Sequence, residues 1–183
     1  LKGQGGPFKI LEQGYNKYTT QSNLANNSKF SIKGEIEYLS SLKKFINKIP
    51  LIAPIKNYYV SSNFGTRIDP IKKTSAKHEG IDFVSSNRAN IISPAPGEVI
   101  FAGRFGAYGN ALIIDHGFGI TTRYGHLSKM KVKKGDKVSK NQVIATQGST
   151  GRSTGQHLHY EIRHKKVALD PKKFLLAGQN IIK

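Results

Sequence analysis

The stretch that decides the fold is residues 148–163, which read GSTGRSTGQHLHYEIR. Its first half is rich in Gly, Ser and Thr and predicts a tight loop, whereas Leu158–Arg163 has the composition of a strand. Alternate side chains of a strand face the same side, so His157 and His159 share one face. Leu158 and Tyr160 then take the opposite face. The pair of imidazoles is therefore a candidate for metal binding or proton transfer.

The segments before this stretch have the same strand-and-turn character. Four further short runs carry β-branched and aromatic residues between turns that contain Gly, Asn, Ser or Lys-Gly-Asp. These runs are Glu98–Ala102, Ala111–Asp115, Ile120–His126 and Val143–Gln147. Between Ala95 and Arg163 no helical period extends beyond about two turns. The sequence therefore predicts a mainly β, antiparallel domain.

The N-terminal part of the chain has a different pattern. Residues 1–30 are rich in Gly, Asn, Gln, Ser and Thr and predict a loop. Apolar residues then recur at the three- and four-residue steps of an amphipathic helix, which Pro50 and Pro54 end. The apolar stripe consists of Ile32, Ile36, Leu39, Leu42, Ile46 and Ile49. We expect an N-terminal extension over residues 1–52 and a β domain over residues 53–183. The apolar face of the helix can pack on the β domain, on another copy of the chain or on a partner protein, and packing on its own domain is the simplest choice.

Composition excludes several classes of protein. The chain has no Cys, which excludes disulfides, thiolate zinc sites and cysteine catalysis. A net charge of +18 predicts attraction to polyanions, and nucleic acid, anionic cell-wall polymers and acidic membrane surfaces all fit. The densest lysine cluster, between Lys129 and Lys140, has none of the interleaved aromatic residues that stack on bases. We therefore do not expect a nucleic-acid partner.

Two further segments supply candidate polar groups. In the run His78-Glu79-Gly80-Ile81-Asp82, residues four apart on an extended chain face the same side, so His78 and Asp82 can converge. Ile81 and the following Phe83 then point into the core. His126 ends the strand Ile120–His126, and strict alternation would place its side chain on the same face as those of Thr122 and Tyr124.

A division of roles follows from zinc chemistry. A catalytic zinc site has three protein ligands and an open position for water. His78, Asp82 and one member of the His157/His159 pair supply three ligands. The remaining histidine and His126 can then accept a proton from the bound water or stabilise the charge that develops on the substrate. For His116 and His164 we expect ordinary structural roles.

These residues and their flanks resemble the M23 metallopeptidases, the lysostaphin- and LytM-like zinc endopeptidases of bacterial cell walls. The signature is His-x-x-x-Asp followed at a distance by His-x-His. The flanking segments that share the resemblance are SSNFGTRIDP at 61–70, Gly109–Gly117, YGHLS at 124–128, residues 148–163 and LDP at 169–171. The resemblance covers residues 55–175, about two thirds of the chain.

The resemblance implies that His78, Asp82 and His159 hold Zn²⁺, one ion per chain, and that His126 and His157 assist catalysis. It implies a Gly-rich, antiparallel two-sheet β core with a groove, so that residues 53–183 form the zinc peptidase domain. The implied activity is hydrolysis of peptide bonds in peptidoglycan stem peptides or cross-bridges.

The resemblance also implies a place for the protein in the cell. It implies a cell-envelope location, periplasmic or extracellular, with the signal or anchor segment absent from a chain that begins at Leu1. Peptidoglycan peptide is the expected partner. We also expect a membrane tether or a partner protein to act through the N-terminal or missing segment.

Three other functions compete with that of a zinc endopeptidase. A non-catalytic M23-like protein would bind peptidoglycan or activate a partner amidase, but such proteins typically lose metal ligands, and all five key residues are present here. A biotinyl- or lipoyl-type carrier is suggested by the strand-turn pattern of Val132–Val138, yet it leaves the histidines unexplained and lacks a Met-Lys-Met-like hairpin. A nucleic-acid binder is supported by charge alone.

Overall fold

The computed structural model describes residues 32–68, 74–86 and 88–181. The predicted loop over residues 1–30 and the Asp69-Pro70 pair of the flanking motif lie outside these ranges. The chain divides into two compact units, Leu1–Glu37 and Tyr38–Lys183. Of the first unit, Ile32–Glu37 is described and is helical.

Strands account for most of the regular structure in the described residues. The helices are α1 (Ile32–Lys48) and α2 (Pro171–Ile181), and Gly106–Tyr108 form a short 3₁₀ turn. The strands are β1 (Tyr59–Ser62), β2 (Gly65–Ile68), β3 (Ser75–His78), β4 (Ile81–Val84), β5 (Asn90–Ile92), β6 (Gly97–Arg104), β7 (Asn110–Gly117), β8 (Ile120–Gly125), β9 (Lys129–Met130), β10 (Lys137–Val138), β11 (Val143–Thr146), β12 (Leu158–His164) and β13 (Val167–Leu169).

The strands form antiparallel sheets. The largest has eight strands in the order β1-β4-β12-β8-β7-β6-β10, with β13 paired to β12. A second sheet has the order β5-β11-β9, and β2 and β3 form a hairpin of their own. The predicted mainly β, antiparallel architecture with an N-terminal helix is thus confirmed, and the β2–β3 hairpin adds a small third sheet. Strand β12 pairs with both β4 and β8, which sets His159 opposite Asp82 and Gly125.

The hydrophobic core lies on one face of the large sheet. Leu158, Tyr160 and Ile162 are fully buried there, as the alternation along β12 predicts. The Tyr160 ring lies beside the rings of Tyr124 and Phe83, with centroid distances of 5.5 and 6.1 Å. Because this face of β12 is filled with apolar side chains, its polar side chains are presented on the opposite face.

Helix α1 lies where the apolar stripe predicts a helix, but its packing differs from the prediction. In the second unit, Leu39, Leu42 and Ile46 are 59, 40 and 37% exposed. The Phe45 ring contacts Phe118 edge-on at 5.1 Å. The expected packing of the apolar stripe on the β domain is therefore wrong for Leu39 and Leu42. No helix in the described ranges is both long and apolar enough to cross a membrane.

Helix α2 was not predicted from the sequence. Its start is nevertheless encoded locally, because Oδ1 of Asp170 accepts a hydrogen bond from the backbone N–H of Lys172 at 3.0 Å. Pro171 occupies the first helical position, where its fixed φ suits a helix and its missing N–H costs nothing. The Asp170-Pro171 pair therefore marks a helix start as well as belonging to the family-like motif.

Helix α2 approaches the chain after Pro50 closely at one glycine. A Cβ atom at Gly178 would overlap the backbone carbonyl oxygen of Leu51. We therefore expect Gly178→Ala to lower the free energy of unfolding by about 1–3 kcal/mol through overpacking. In an open helix the same change would instead stabilise by about 1 kcal/mol.

Urea denaturation of the two proteins measures this effect. The reverse change at the exposed neighbour, Ala177→Gly, should cost about 1 kcal/mol by helix propensity alone and serves as the control. A more stable Gly178→Ala protein would show that helix α2 does not lie this close to Leu51.

Candidate active site

Three buried polar groups meet at one point of the large sheet. The His78 Nε2 atom lies 3.0 Å from Asp82 Oδ1 and 3.1 Å from His159 Nδ1, and His159 Nδ1 lies 2.9 Å from Asp82 Oδ1. Each residue offers one ligand atom, and the three residues form a group that could hold a metal ion. In a tetrahedral zinc site with ligand bonds of 2.0–2.2 Å, ligand atoms lie about 3.3–3.5 Å apart. The observed triangle is slightly tighter than this.

One nitrogen of each imidazole in this group donates to an acceptor outside the triangle. The Nδ1 atom of His78 bonds to the backbone carbonyl of Asn63 at 2.7 Å, and Nε2 of His159 bonds to Oε1 of Glu161 at 3.0 Å. Since a carbonyl and a carboxylate only accept, each of these two nitrogens carries a proton. His78 Nε2, His159 Nδ1 and Asp82 Oδ1 are the atoms that face one another. Burial lowers the pKa of His159, but its hydrogen bonds to Asp82 and Glu161 outweigh burial and raise it, so a proton lies on this group when no metal is bound and a metal ion would replace it. Such a donor set is matched by a cation, and its N and O atoms are those that Zn²⁺ binds.

Local structure explains how His78 and Asp82 come together. His78 ends β3, Asp82 lies on β4, and the chain turns between them at Glu79 and Gly80. A Cβ atom at Gly80 would overlap the carbonyl oxygen of Tyr160, so the turn passes close to β12. The predicted convergence of His78 and Asp82 is thus observed, although the segment is two strands rather than one.

His126 and His157 lie next to this group. Their ring centroids are 4.6 Å apart, and His157 Nε2 is 4.0 Å from Asp82 Oδ1. The Nδ1 atoms bond to backbone carbonyls at 2.8 Å, that of His126 to Thr150 and that of His157 to Gly155. In its neutral form each ring therefore carries the proton on Nδ1, which leaves Nε2 as a proton acceptor.

The backbone at His126 departs from the pattern of the strand before it. Strand β8 ends at Gly125, and His126 has a φ of 61°. The predicted common face with Thr122 and Tyr124 is therefore wrong, because a left-handed residue breaks the alternation of a strand. Thr122 and Tyr124 are fully buried on the core side, whereas His126 lies beside His157.

The five residues border an open cleft of about 650 Å³. The loop that connects β11 to β12 forms one wall through Arg152, Ser153, Thr154, Gly155 and Gln156. The predicted role of the Gly-rich loop as a groove wall therefore agrees with its position.

Burial and hydrogen bonds set the charge states around the cleft. Burial lowers the pKa of His126 to about 4, an effect that the Thr150 carbonyl only partly offsets, so the ring is neutral at neutral pH. Burial raises the pKa of Asp82, but the imidazoles of His159 and His78 outweigh it and keep the pKa below its usual range. Asp82 therefore stays ionised beside a neutral candidate base.

Sequence reasoning missed the groups behind His159. Glu161 is fully buried, and its Oε1 accepts hydrogen bonds from His159 Nε2 and, at 2.6 Å, from the Tyr108 hydroxyl. Although burial opposes ionisation, the contacts with His159, Tyr108 and Arg163 lower the pKa of Glu161 to about 2. Strand alternation could have predicted Glu161, because it follows His159 by two residues and therefore lies on the same face of the strand. No such pattern identifies Tyr108, because it comes from the 3₁₀ turn before β7.

His116 has the structural role expected of it. The side chain is buried, its Nδ1 lies 3.0 Å from the carbonyl oxygen of Pro96 and its Nε2 lies 2.8 Å from Oγ1 of Thr122. Burial lowers the pKa of His116, so its ring stays neutral in the core. Both ring nitrogens are engaged within the protein, and neither is left for a substrate.

Comparison with known proteins places the site in a family. The family described as Peptidase family M23 matches residues 76–171. This span includes all five candidate residues and more than half of the chain. The chain belongs to peptidase family M23.

The curated relatives include proteins named as DD-peptidases and one named as a hydrolase activator. The chain is 42% identical over 120 residues to the DD-carboxypeptidase/endopeptidase Mpg of Neisseria meningitidis, covering 66% of this chain and 28% of that protein. It is 40% identical over 123 residues to the peptidoglycan DD-endopeptidase ShyA of Vibrio cholerae, with coverages of 67 and 28%. It is also 37% identical over 112 residues to the murein hydrolase activator NlpD of Escherichia coli, with coverages of 61 and 29%. The chain thus spans less than a third of each relative.

Solved structures share the fold. A zinc-containing peptidase from Vibrio cholerae superposes with a TM-score of 0.61 at 38% identity, over 64% of this chain and 37% of that one. The catalytic domain of lysostaphin from Staphylococcus simulans gives a TM-score of 0.59 at 31% identity, over 65% of this chain and 92% of that one. The chain is therefore a metallopeptidase-family protein with the M23 fold and peptidoglycan DD-endopeptidases among its relatives.

Proposed function

We propose that this chain is a zinc-dependent endopeptidase that hydrolyses peptide bonds in peptidoglycan stem peptides or cross-bridges. The observation that carries the proposal is the convergence of three potential metal-donor atoms, from His78, Asp82 and His159, beside the rings of His126 and His157. In this proposal one Zn²⁺ per chain occupies the donor triangle. Residues 53–183 form the peptidase domain and residues 1–52 an N-terminal extension.

Bound zinc would polarise the scissile carbonyl and lower the pKa of a water molecule. The unprotonated Nε2 of His126 or His157 accepts the proton of the attacking water. The other ring, when protonated, donates a hydrogen bond to the carbonyl oxygen on which charge develops. The carbonyls of Thr150 and Gly155 keep both rings in the tautomer that this exchange needs.

The charge of the protein fits the proposed substrate. Peptidoglycan stem peptides carry carboxylates, and the net charge of +18 favours their approach. We place the protein in the cell envelope, periplasmic or extracellular, where such a substrate is found, and expect no nucleic-acid partner. A membrane tether or partner protein would act through the N-terminal extension or through sequence outside this chain.

A non-catalytic activator is the second candidate, and the similarity to the murein hydrolase activator NlpD favours it. Such a protein needs the cleft but not the metal chemistry. The complete set of His78, Asp82, His126, His157 and His159 supports catalysis instead, because an activator has no need of three convergent metal donors.

The experiment that separates the two is mass spectrometry of fragments released from defined muropeptides. The zinc-loaded chain alone should cleave a peptide bond, a chelator should stop the reaction, and the fragment masses identify the bond. Cleavage that appears only after a purified amidase is added would support the activator instead.

A further inference from the structure

The four histidines of the cleft are not all held in the same way. His78, His126 and His157 each bond through Nδ1 to a backbone carbonyl. The exception is His159, whose Nε2 bonds at 3.0 Å to the carboxylate of Glu161. A carboxylate differs from a carbonyl in that it can be replaced by mutation and adds charge to the ring it binds.

Glu161 is itself fixed on every side. It is fully buried, and its Oε1 accepts from His159 and Tyr108. Its Oε2 lies 2.6 Å from Nη1 of Arg163 and 3.3 Å from Nη1 of Arg123. The two guanidinium groups balance the buried charge, and the four contacts together prevent the carboxylate from rotating.

Arg163 extends this network to the other ligand-bearing segment. Its Nη1 also donates to Oε2 of Glu79 at 3.0 Å, and Glu79 follows His78 in the chain. The remaining donors of Arg163, Nε and Nη2, bond to the carbonyl oxygen of Lys166 at 3.0 and 2.7 Å. The guanidinium therefore has a fixed position behind the metal-binding group.

We propose that Glu161 is a positioning residue for zinc binding. It holds the proton of His159 on Nε2, turns the Nδ1 lone pair towards His78 and Asp82, and makes the imidazole a stronger donor. The inference rests on the proposed zinc site. Arg123 and Arg163 act through Glu161, because they fix which of its oxygen atoms faces His159.

The isosteric variant Glu161→Gln tests this directly. The two guanidinium groups require an acceptor, so they hold the amide oxygen of the substituted side chain on their side and turn its NH₂ group towards His159. The amide then donates to Nε2, which moves the ring proton to Nδ1, where the metal would bind. We expect zinc affinity, measured by competition with a chromophoric chelator, to fall about 10–100-fold.

A second readout is independent of activity and of metal. ¹⁵N NMR of His159 in the zinc-free protein, recorded at a pH high enough for the ring to be neutral, should show the Nε2-protonated tautomer in the wild type and the Nδ1-protonated tautomer in Glu161→Gln. Glu161→Met, which offers no polar partner, should show a mixture of tautomers and a similar loss of affinity. Thermal melting of the zinc-free variants separates a loss of fold from a change of tautomer.

The matched control is Glu79→Gln. It removes the same charge and also contacts Arg163, but it does not touch His159, so zinc affinity should stay within about threefold of the wild type, as for exposed ion pairs. Unchanged affinity and tautomer in Glu161→Gln would overturn the inference. A wild-type protein that binds no zinc would instead overturn the proposed function.

Discussion

His159→Ala should yield a folded protein that retains no stoichiometric zinc and releases no muropeptide fragments above the chelator-treated background. The change removes one of three donors whose mutual distances are 2.9–3.1 Å. The remaining two donors cannot complete a three-ligand site. The loss of zinc affinity should exceed the ~10–100-fold that changes behind a ligand typically cost.

Elemental analysis of metal-replete protein gives the measurement. Wild-type protein should contain about one zinc ion per chain, as a single three-ligand site requires. Asp82→Ala should also lower the metal affinity, and chelator-treated wild-type protein should regain activity when zinc is restored. Metal-replete wild-type protein without stoichiometric zinc would contradict the proposed site.

His126→Ala and His157→Ala should each keep zinc but lower kcat/KM on a defined muropeptide about 10²–10⁴-fold, the usual contribution of a proton-transfer or charge-stabilising group. The reason is positional. Neither ring belongs to the donor triangle, and His157 Nε2 stands 4.0 Å from Asp82 Oδ1, farther than any edge of that triangle. Zinc content and steady-state rates, measured on the same preparations, separate the two effects.

His116→Ala is the matched control for these two variants. It deletes a buried imidazole whose two nitrogens are both bonded within the core. It should therefore cost stability, about 1–3 kcal/mol, with little loss of rate in the protein that remains folded. Equal loss of zinc in His126→Ala, His157→Ala and His159→Ala would show that the division of roles is wrong.

Much of the fold follows from short-range pattern. The five predicted strands are observed with bounds that differ by at most two residues. The alternation of apolar residues identifies each strand, and the glycine-containing turns identify where it ends. Helix α1 was equally clear. The surface that helix α1 packs against could not be predicted, because an apolar stripe indicates that one helix face is to be buried but does not identify the partner. Helix α2 escaped prediction because it is short and its Asp-Pro start was assigned to a motif.

The candidate site likewise has features that residue spacing predicts and features that depend on tertiary structure. Residue spacing predicted that His78 and Asp82 converge and that His157 and His159 share a face. It left open which of these two histidines joins His78 and Asp82 in the group that could hold a metal ion. The choice depends on strand register, which sets His159 opposite Asp82, and register is a property of pairing across 77 residues. The position of His126 depends on one left-handed residue, and no periodic rule anticipates where a strand breaks.

The loop between β11 and β12 carries a consequence for how such a protein can be re-engineered or diversify. It lines the cleft, and its Thr150 and Gly155 carbonyls also hold the rings of His126 and His157. The side chains that would contact the substrate and the carbonyl groups that orient His126 and His157 thus lie on the same loop. A loop transplanted from a relative to change the preferred bond therefore brings new anchors for both histidines. Selectivity and turnover would then change together, and changes confined to the side chains of residues 152, 154 or 156 would leave those carbonyl anchors in place. Ser153 is excluded because its hydroxyl contacts both His157 Nδ1 and the Gly155 carbonyl.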